Sequence, residues 1–224
     1  MKSRTGKNAH GLDRHRRNLA GYILTGGASS RFGRDKALAE IGGLTMAARM
    51  VLLFRKLSVP GIWFVGEPTK YGHLGTDCLA DLWPGEGPLG GILTGLQNTD
   101  GLSRSTTADY NLIASCDMPF LNEGWIEELV GRAFESDAQV VVAKSATGLE
   151  PLCAVWRTDA LQVVQRAFDS GVRKVTEAMK QLPMEVLDES VWKRFDTHNR
   201  LFWNMNTPED YEEARRILEG VGTA

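Results

Sequence analysis

Residues 19–36 read LAGYILTGGASSRFGRDK, and the architecture of the whole chain turns on how that run is interpreted. Residues 19–25 have the length and apolar character of a buried strand. They pass directly into Gly26, Gly27 and Gly33, interleaved with Ser29, Ser30, Arg31, Arg34 and Lys36. Glycine removes side chains where backbone must approach something closely, while hydroxyls and cations supply donors and positive charge, a combination suited to cradling phosphate. No G-K-[ST] closes the loop, so it is not a Walker A element, and the G-x-G-x-x-G dinucleotide fingerprint is missing. Open α/β sheets bind ligands at the carboxyl ends of their strands, which is where this loop starts.

The segments that follow alternate between β-like and helical patterns, the signature of a parallel sheet covered by crossover helices. Strands are predicted at 61–65 (GIWFV), 110–116 (YNLIASC), 139–144 and 152–157. Helices are predicted at 45–57, 89–97, 123–134, 159–168 and 172–180. The clearest helix start is the last: Thr207 as N-cap, Pro208 at the first helical position, acidic Glu209 and Asp210 in the first turn, then Tyr211, Ala214, Ile217 and Leu218 on one face. Trp63, Phe64, Trp156, Phe202 and Trp203 fall in strand-like runs and read as core. No repeat or linker divides the body, so residues 18–224 are expected to form one α/β domain with a mostly parallel sheet.

Composition agrees with a globular body. The 224 residues are 42% apolar and 24% charged, with 24 Gly and 8 Pro, which excludes disorder, collagen and a disulfide scaffold. No apolar run approaches the ~20 residues of a bilayer span, and no membrane role is expected. Residues 1–17 hold six Lys or Arg against one Asp and lack the apolar stretch of a secretory signal. They read as a disordered basic tail, with a nucleic-acid arm and an organellar transit peptide as the weaker readings. The formal charge of −2 for the chain and +5 for the tail leave about −7 for the body, and an acidic body repels polyanions, which disfavours nucleic acid. Cys78, Cys116 and Cys153 are odd in number, widely spaced and without His at metal-ligand spacing, pointing to a reduced cytosolic protein without structural zinc. Cys116 ends an apolar strand and reads as core. His10 and His15 sit in the tail and His73 and His198 in polar loops, none placed for catalysis.

Three further motifs carry chemistry. Asp117, in SCDMP at the end of the third strand, is a carboxylate at a strand's carboxyl edge, suited to Mg²⁺, a hard cation that shares oxygen ligands with substrate phosphates. Gly87-Pro88-Leu89-Gly90-Gly91 precedes a helix, offering backbone amides to a ligand, and Asp81 just upstream can accept the paired N–H donors of a guanine edge. Asn204 and Asn206, in NMNTP, lie on one side of an extended segment just before the capped helix, where their amides can orient a ligand or act as turn formers.

Taken together these blocks resemble the molybdenum cofactor guanylyltransferases, within the nucleotidyltransferases related to nucleotide-sugar pyrophosphorylases. The similarity runs in order through LTGGASSRFGRDKA, the Asp81 segment, GPLGG, SCDMPF with PLCAVW, and NMNTPED, about residues 19–218. It implies a three-layer Rossmann-like nucleotide-diphospho-sugar transferase fold and a cytoplasmic, monomeric enzyme. GTP and Mo-molybdopterin would be its substrates and Mg²⁺ its cofactor, with transient contact to other molybdenum cofactor proteins. It implies nucleotide contacts from Leu24, Thr25, Gly26, Gly27 and Gly87, phosphate contacts from Lys36 and Arg31, guanine recognition by Asp81, metal binding by Asp117, and a substrate-side role for Asn204 and Asn206. The chain departs from the family pattern at Thr25, where Ala is usual, at Phe32, where Met is, and at Gly66, where an Asn commonly ends the second strand.

The chemistry expected is transfer of GMP to molybdopterin by charge neutralisation and in-line positioning, with catalysis by Lys36, Arg31 and Asp117 and no general base. The alternatives are CMP transfer to molybdopterin or another phosphate acceptor, and a catalytically silent nucleotide-binding partner. Gly26 in LTGG stands against the first, since cytidylyl relatives usually resemble L-A-A-G there. Gly66 favours the second.

Overall fold

The computed structural model describes residues 18–26, 35–102 and 109–220. The predicted tail, Gly27 and Arg31 lie outside these residues. In chain order, β1 (Leu19–Leu24) is followed by a 3-10 turn at Lys36–Leu38, a small hairpin of β2 (Glu40–Ile41) and β3 (Leu44–Thr45), and α1 (Met46–Lys56). Next come β4 (Gly61–Gly66), α2 (Pro68–Tyr71), β5 (Asp77–Ala80), α3 (Pro88–Leu102), β6 (Tyr110–Ser115) and α4 (Glu123–Glu135). The remainder is β7 (Val140–Ser145), β8 (Gly148–Arg157), α5 (Leu161–Asp169), α6 (Val175–Met179), β9 (Met184–Leu187), α7 (Glu189–Trp192) and α8 (Pro208–Leu218).

Seven of the strands form one sheet in the order β5-β4-β1-β6-β8-β7-β9. Every pairing is parallel except those of β8, which runs antiparallel between β6 and β7. β1 is buried at all six positions, as a central strand covered on both faces must be. Its side chains alternate between two cores. Leu19 and Ile23 pack with Phe54 of α1 and Trp125 and Leu129 of α4, while Ala20, Tyr22 and Leu24 pack with Ile92 and Leu96 of α3 and Val164 of α5. This alternation builds the three layers. Gly21 is required for the first, because a Cβ there would lie 2.7 Å from the Phe54 ring. A third, smaller core joins Tyr211 and Ala214 of α8 to Ile41, Met46, Phe120 and Met205, anchoring the C-terminal helix against the β2–β3 hairpin.

The chain moves from β1 to β4 and β5 in one direction, then α3 carries it back to β6 on the other side of β1. The order therefore reverses between β1 and β6, and the crevice outside their carboxyl ends is the natural ligand position.

The structure departs from the sequence-based expectation in several elements. β7 and β8 form a hairpin, and β8 starts at Gly148 rather than 152. The helix expected at 172–180 is only Val175–Met179, because Gly171 turns at φ +96° and Arg173 folds back to donate to Phe168 O at 2.7 Å. Gly90 and Gly91 lie inside α3 rather than before it. Phe202 and Trp203 sit outside strands, in the turn that leads to the Asn204 segment. The His198 ring lies 5.6 Å from that of Phe120. Among the described residues no helix is long and apolar enough to cross a membrane.

Candidate active site

Lys36, Asp117 and Asn206 come from stretches 81 and 170 positions apart and meet at the carboxyl edge of β6. Each is delivered by local structure. Asp35 caps the 3-10 turn by accepting from Ala37 N at 2.9 Å, which fixes the start of Lys36. Ser115, the last residue of β6, donates its hydroxyl to Asp117 Oδ1 at 2.6 Å. Cys116 N donates to Leu24 O at 3.1 Å and Met205 N to Asp117 O at 2.9 Å, so backbone hydrogen bonds tie this turn to β1 on one side and to the Asn204–Asn206 segment on the other. Asn206 is held in turn by the capping box of α8, where Asp210 Oδ2 accepts from both Asn206 N and Thr207 N at 2.8 Å. Within this frame Lys36 Nζ donates to Asn206 Oδ1 at 2.8 Å and stands 3.5 Å from Asp117 Oδ2. The Lys36 and Asp117 side chains are each 17% exposed, accessible to a ligand yet sheltered enough for charge to count.

On the β4 side of β1 a cleft of about 800 Å³ opens between Leu24 and Gly26, the start of α2, and residues 80–91. Asp81 is on its wall. Its Oδ1 accepts from Trp83 N at 3.0 Å and Thr94 Oγ1 at 3.3 Å, and its Oδ2 makes no hydrogen bond among the described residues. A carboxylate with one oxygen anchored and the other available is suited to paired N–H donors. Gly87 turns into α3 at φ +84°. Gly90 and Gly91 let α3 sit close, since Cβ atoms there would lie 3.0 Å from Trp83 Cβ and 3.1 Å from Leu24 Cδ2. The wall is linked to the lysine turn through Tyr71, whose hydroxyl donates to Asp35 Oδ2 at 2.7 Å, and Lys70, whose Nζ lies 2.5 Å from the same oxygen. Burial, then the Asp35 carboxylate, push the Tyr71 hydroxyl well above its ordinary value, so it stays a donor.

A second cleft, about 540 Å³, lies beyond Asn206, between the β7–β8 turn and residues 189–206. Asn204 and Asn206 both line it, so Asn206 borders this space while binding Lys36. No group of three or more His, Cys, Asp or Glu side chains is assembled for a metal among the described residues. Asp117 and the Asn206 amide offer only hard oxygen donors, which fit a Mg²⁺ ion that arrives with phosphate oxygens and water rather than one caged by protein alone.

Residues 21–183 match the family model of the MobA-like NTP transferase domain. The chain belongs to this family. Curated relatives include the molybdenum cofactor guanylyltransferase of Desulfosudis oleivorans, 30% identical over 202 residues, covering 90% of this chain and 96% of that protein. That of Rhodopseudomonas palustris is 32% identical over 199 residues, covering 87% and 91%. The crystal structure of molybdopterin-guanine dinucleotide biosynthesis protein A from Archaeoglobus fulgidus shares the fold, with a TM-score of 0.72 at 23% identity over 90% of this chain and 99% of that one.

In this MobA-like domain the residues singled out from sequence fall into two adjoining groups. Leu24, Gly26, Asp81 and Gly87 line the first cleft, and Lys36, Asp117 and Asn206 meet beside it. Thr25 is buried, and its hydroxyl donates to Val65 O at 3.0 Å rather than lining the cleft. Cys116 is 4% exposed, a core residue. Sequence reasoning missed Asp35, Lys70 and Tyr71. The only signal for Asp35 was its place directly before Lys36, as a cap; the pairing with Tyr71 spans 36 positions and leaves no local trace.

Proposed function

We propose that this MobA-like transferase moves GMP from GTP to the phosphate of Mo-molybdopterin, forming molybdopterin guanine dinucleotide and pyrophosphate, and that residues 18–224 act as one nucleotidyltransferase domain. The observation that carries the reading is the convergence of Lys36, Asp117 and Asn206 at the strand-order reversal, between a cleft with the Asp81 carboxylate on its wall and a second cleft beyond Asn206. The names of the relatives at 30% and 32% identity support the same substrates.

Two anions must be brought together, so the work is neutralisation and alignment. An oxygen of the molybdopterin phosphate attacks the α-phosphorus of GTP, and the bond from that phosphorus to the bridging oxygen of the β-phosphate breaks, releasing pyrophosphate with its electron pair. No general base is needed, because a phosphate monoester is already ionised near neutral pH. Lys36, aimed by Asn206, stabilises charge that grows on the phosphates, and Arg31, assigned from sequence alone, adds to it. Leu24, Gly26 and Gly87 shape the nucleoside cleft, with Gly27 beside them in the sequence, and Asp81 takes the N–H edge of guanine. Asp117 would hold Mg²⁺ together with nucleotide phosphate oxygens, and the ion would supply further neutralisation.

The test is pyrophosphate release from GTP, CTP, ATP and UTP with molybdopterin and Mg²⁺. Release with GTP alone is expected. Preference for CTP would assign the chain to cytidylyl transfer, and GTP binding without release would assign it to a silent nucleotide carrier.

A further inference from the structure

Glu150 is the one charged side chain among the buried residues described, at 7% exposed. It lies on β8, and its Oε1 accepts from the hydroxyls of Ser145 (2.5 Å), the last residue of β7, and Thr147 (3.2 Å), on the turn that joins β7 to β8. Its Oε2 makes no hydrogen bond, and the carboxylate no ion pair, among the described residues. Lys193 and Arg200 line the same cleft but are engaged elsewhere, Lys193 with Glu189 and Asp196 and Arg200 with Glu213. A buried carboxylate without a cation is costly to keep unless something else meets it. Burial accordingly raises its proton affinity above that of an ordinary glutamate. The residue faces the second cleft, where Trp192 and Phe202 supply flat apolar walls and Asn206 leads back to Lys36.

We propose that Glu150 reads the bicyclic end of the acceptor, its carboxylate taking two N–H groups from the 2-amino-4-oxopyrimidine edge of a pterin while the acceptor's phosphate lies towards Lys36. The assignment rests on the transfer reading above. A carboxylate is the complement of that edge, which presents two adjacent N–H donors. Ser145 and Thr147 fix the carboxylate through one oxygen and leave the other for the ligand. Replacing Glu150 by Gln keeps shape and the two hydroxyl contacts but turns an amide N–H₂ or a single acceptor towards the ligand's donors.

The test uses the full chain, wild type, Glu150→Gln and Glu150→Asp. A simple pterin, 6-hydroxymethylpterin, and lumazine, which carries an oxo group in place of the 2-amino group, are titrated by their own fluorescence without nucleotide. The wild type should bind the pterin at least 10-fold more tightly than lumazine, and Glu150→Gln should abolish that preference. In turnover, Glu150→Gln should raise the KM for molybdopterin about 10- to 100-fold, leaving GTP affinity within about twofold. Removing a buried charge, it should melt no lower than wild type without ligand, which separates lost recognition from lost folding. Equal binding of pterin and lumazine by the wild type, no binding of pterin at millimolar concentration, or an unchanged molybdopterin KM in a folded Glu150→Gln would overturn the assignment. Should the wild type release no pyrophosphate from any nucleotide, the transfer reading fails by itself, and the pterin titration still decides Glu150.

Discussion

Thr25 and Gly66 share one volume. A Cβ on residue 66 would lie 2.3 Å from Thr25 Oγ1 and 3.0 Å from the Tyr71 ring, and the Thr25 hydroxyl is pinned there by Val65 O at 3.0 Å. These are two of the positions at which the chain departs from the pattern its resemblance implies, and the two departures fit one another: a hydroxyl just past β1 excludes a side chain from the end of β4. Gly66→Asn alone should therefore cost about 1–3 kcal/mol as an overpacked site. The double variant Thr25→Ala with Gly66→Asn should recover much of the loss, with a coupling of about 0.5–3 kcal/mol. Denaturant unfolding of the two single variants and the double variant measures it. Strict additivity would show that the two side chains do not compete.

Lys36 is held by Asn206 and faces Asp117 before any substrate arrives, so its ammonium need not reorganise as charge develops. Lys36→Ala should lower turnover by about 10²–10³, by analogy with loss of a preorganised oxyanion donor. Asn206→Ala, which releases Lys36 rather than deleting it, should act in the same direction and less strongly. Pyrophosphate release at saturating substrates is the measurement. Wild-type turnover in Lys36→Ala would remove it from the phosphate site.

What the sequence discloses about this molecule is what adjacency in the chain enforces. The apolar run into Leu24-Thr25-Gly26, Asp117 at the end of β6, and Thr207-Pro208 at the start of α8 are each written within a few residues, and each is where it was expected. The β2–β3 hairpin was legible in principle, since Gly42 and Gly43, at φ +62° and +76°, supply the two left-handed residues that a tight hairpin turn wants. β9 was not. Of its four residues only Leu187 is buried, and the strand sits on the sheet edge, where neither alternation nor a continuous apolar run develops. The antiparallel course of β8 depends on a two-residue turn, Ala146–Thr147, after which Gly148 at φ +126° pairs with Ser145. Asp35 with Tyr71, and Glu150 facing the second cleft, are tertiary facts that no window on the chain contains.

The cap of α8 links stability to the site. Thr207 Oγ1 accepts from Asp210 N at 3.1 Å, while Asp210 Oδ2 returns to Thr207 N and reaches Asn206 N. Thr207→Ala should destabilise the protein by about 1 kcal/mol. Asp210→Ala, which also frees the backbone of Asn206, should reduce turnover as well as lowering the melting temperature. Equal activity of Asp210→Ala and wild type, assayed well below both melting temperatures, would show that the helix cap does not position Asn206.

The three thiols test the packing around the sheet. Burial pushes Cys78 up to about 11 and Cys153 up to about 12, and holds Cys116 well above the ordinary thiol value. Only the thiolate reacts with a disulfide reagent, so near pH 8 the native protein should show one slow thiol, Cys78, whose rate climbs as pH rises towards 11. Cys116 and Cys153, at 4% and 0% exposed, should react only after unfolding. The linkage has a definite sign. A group whose folded pKa lies above its unfolded one binds more protons when folded, so its contribution is complete below the unfolded thiol pKa and fades as pH rises through the folded value. Stability should fall from about pH 9 upward, and serine at position 78 should soften that fall. Because the transfer needs no thiol, a native protein alkylated at Cys78 should keep its turnover. Rapid modification of Cys116 at neutral pH would mean that the turn bearing Asp117 opens in solution, and the rigid placement of Asp117 opposite Lys36 would go with it.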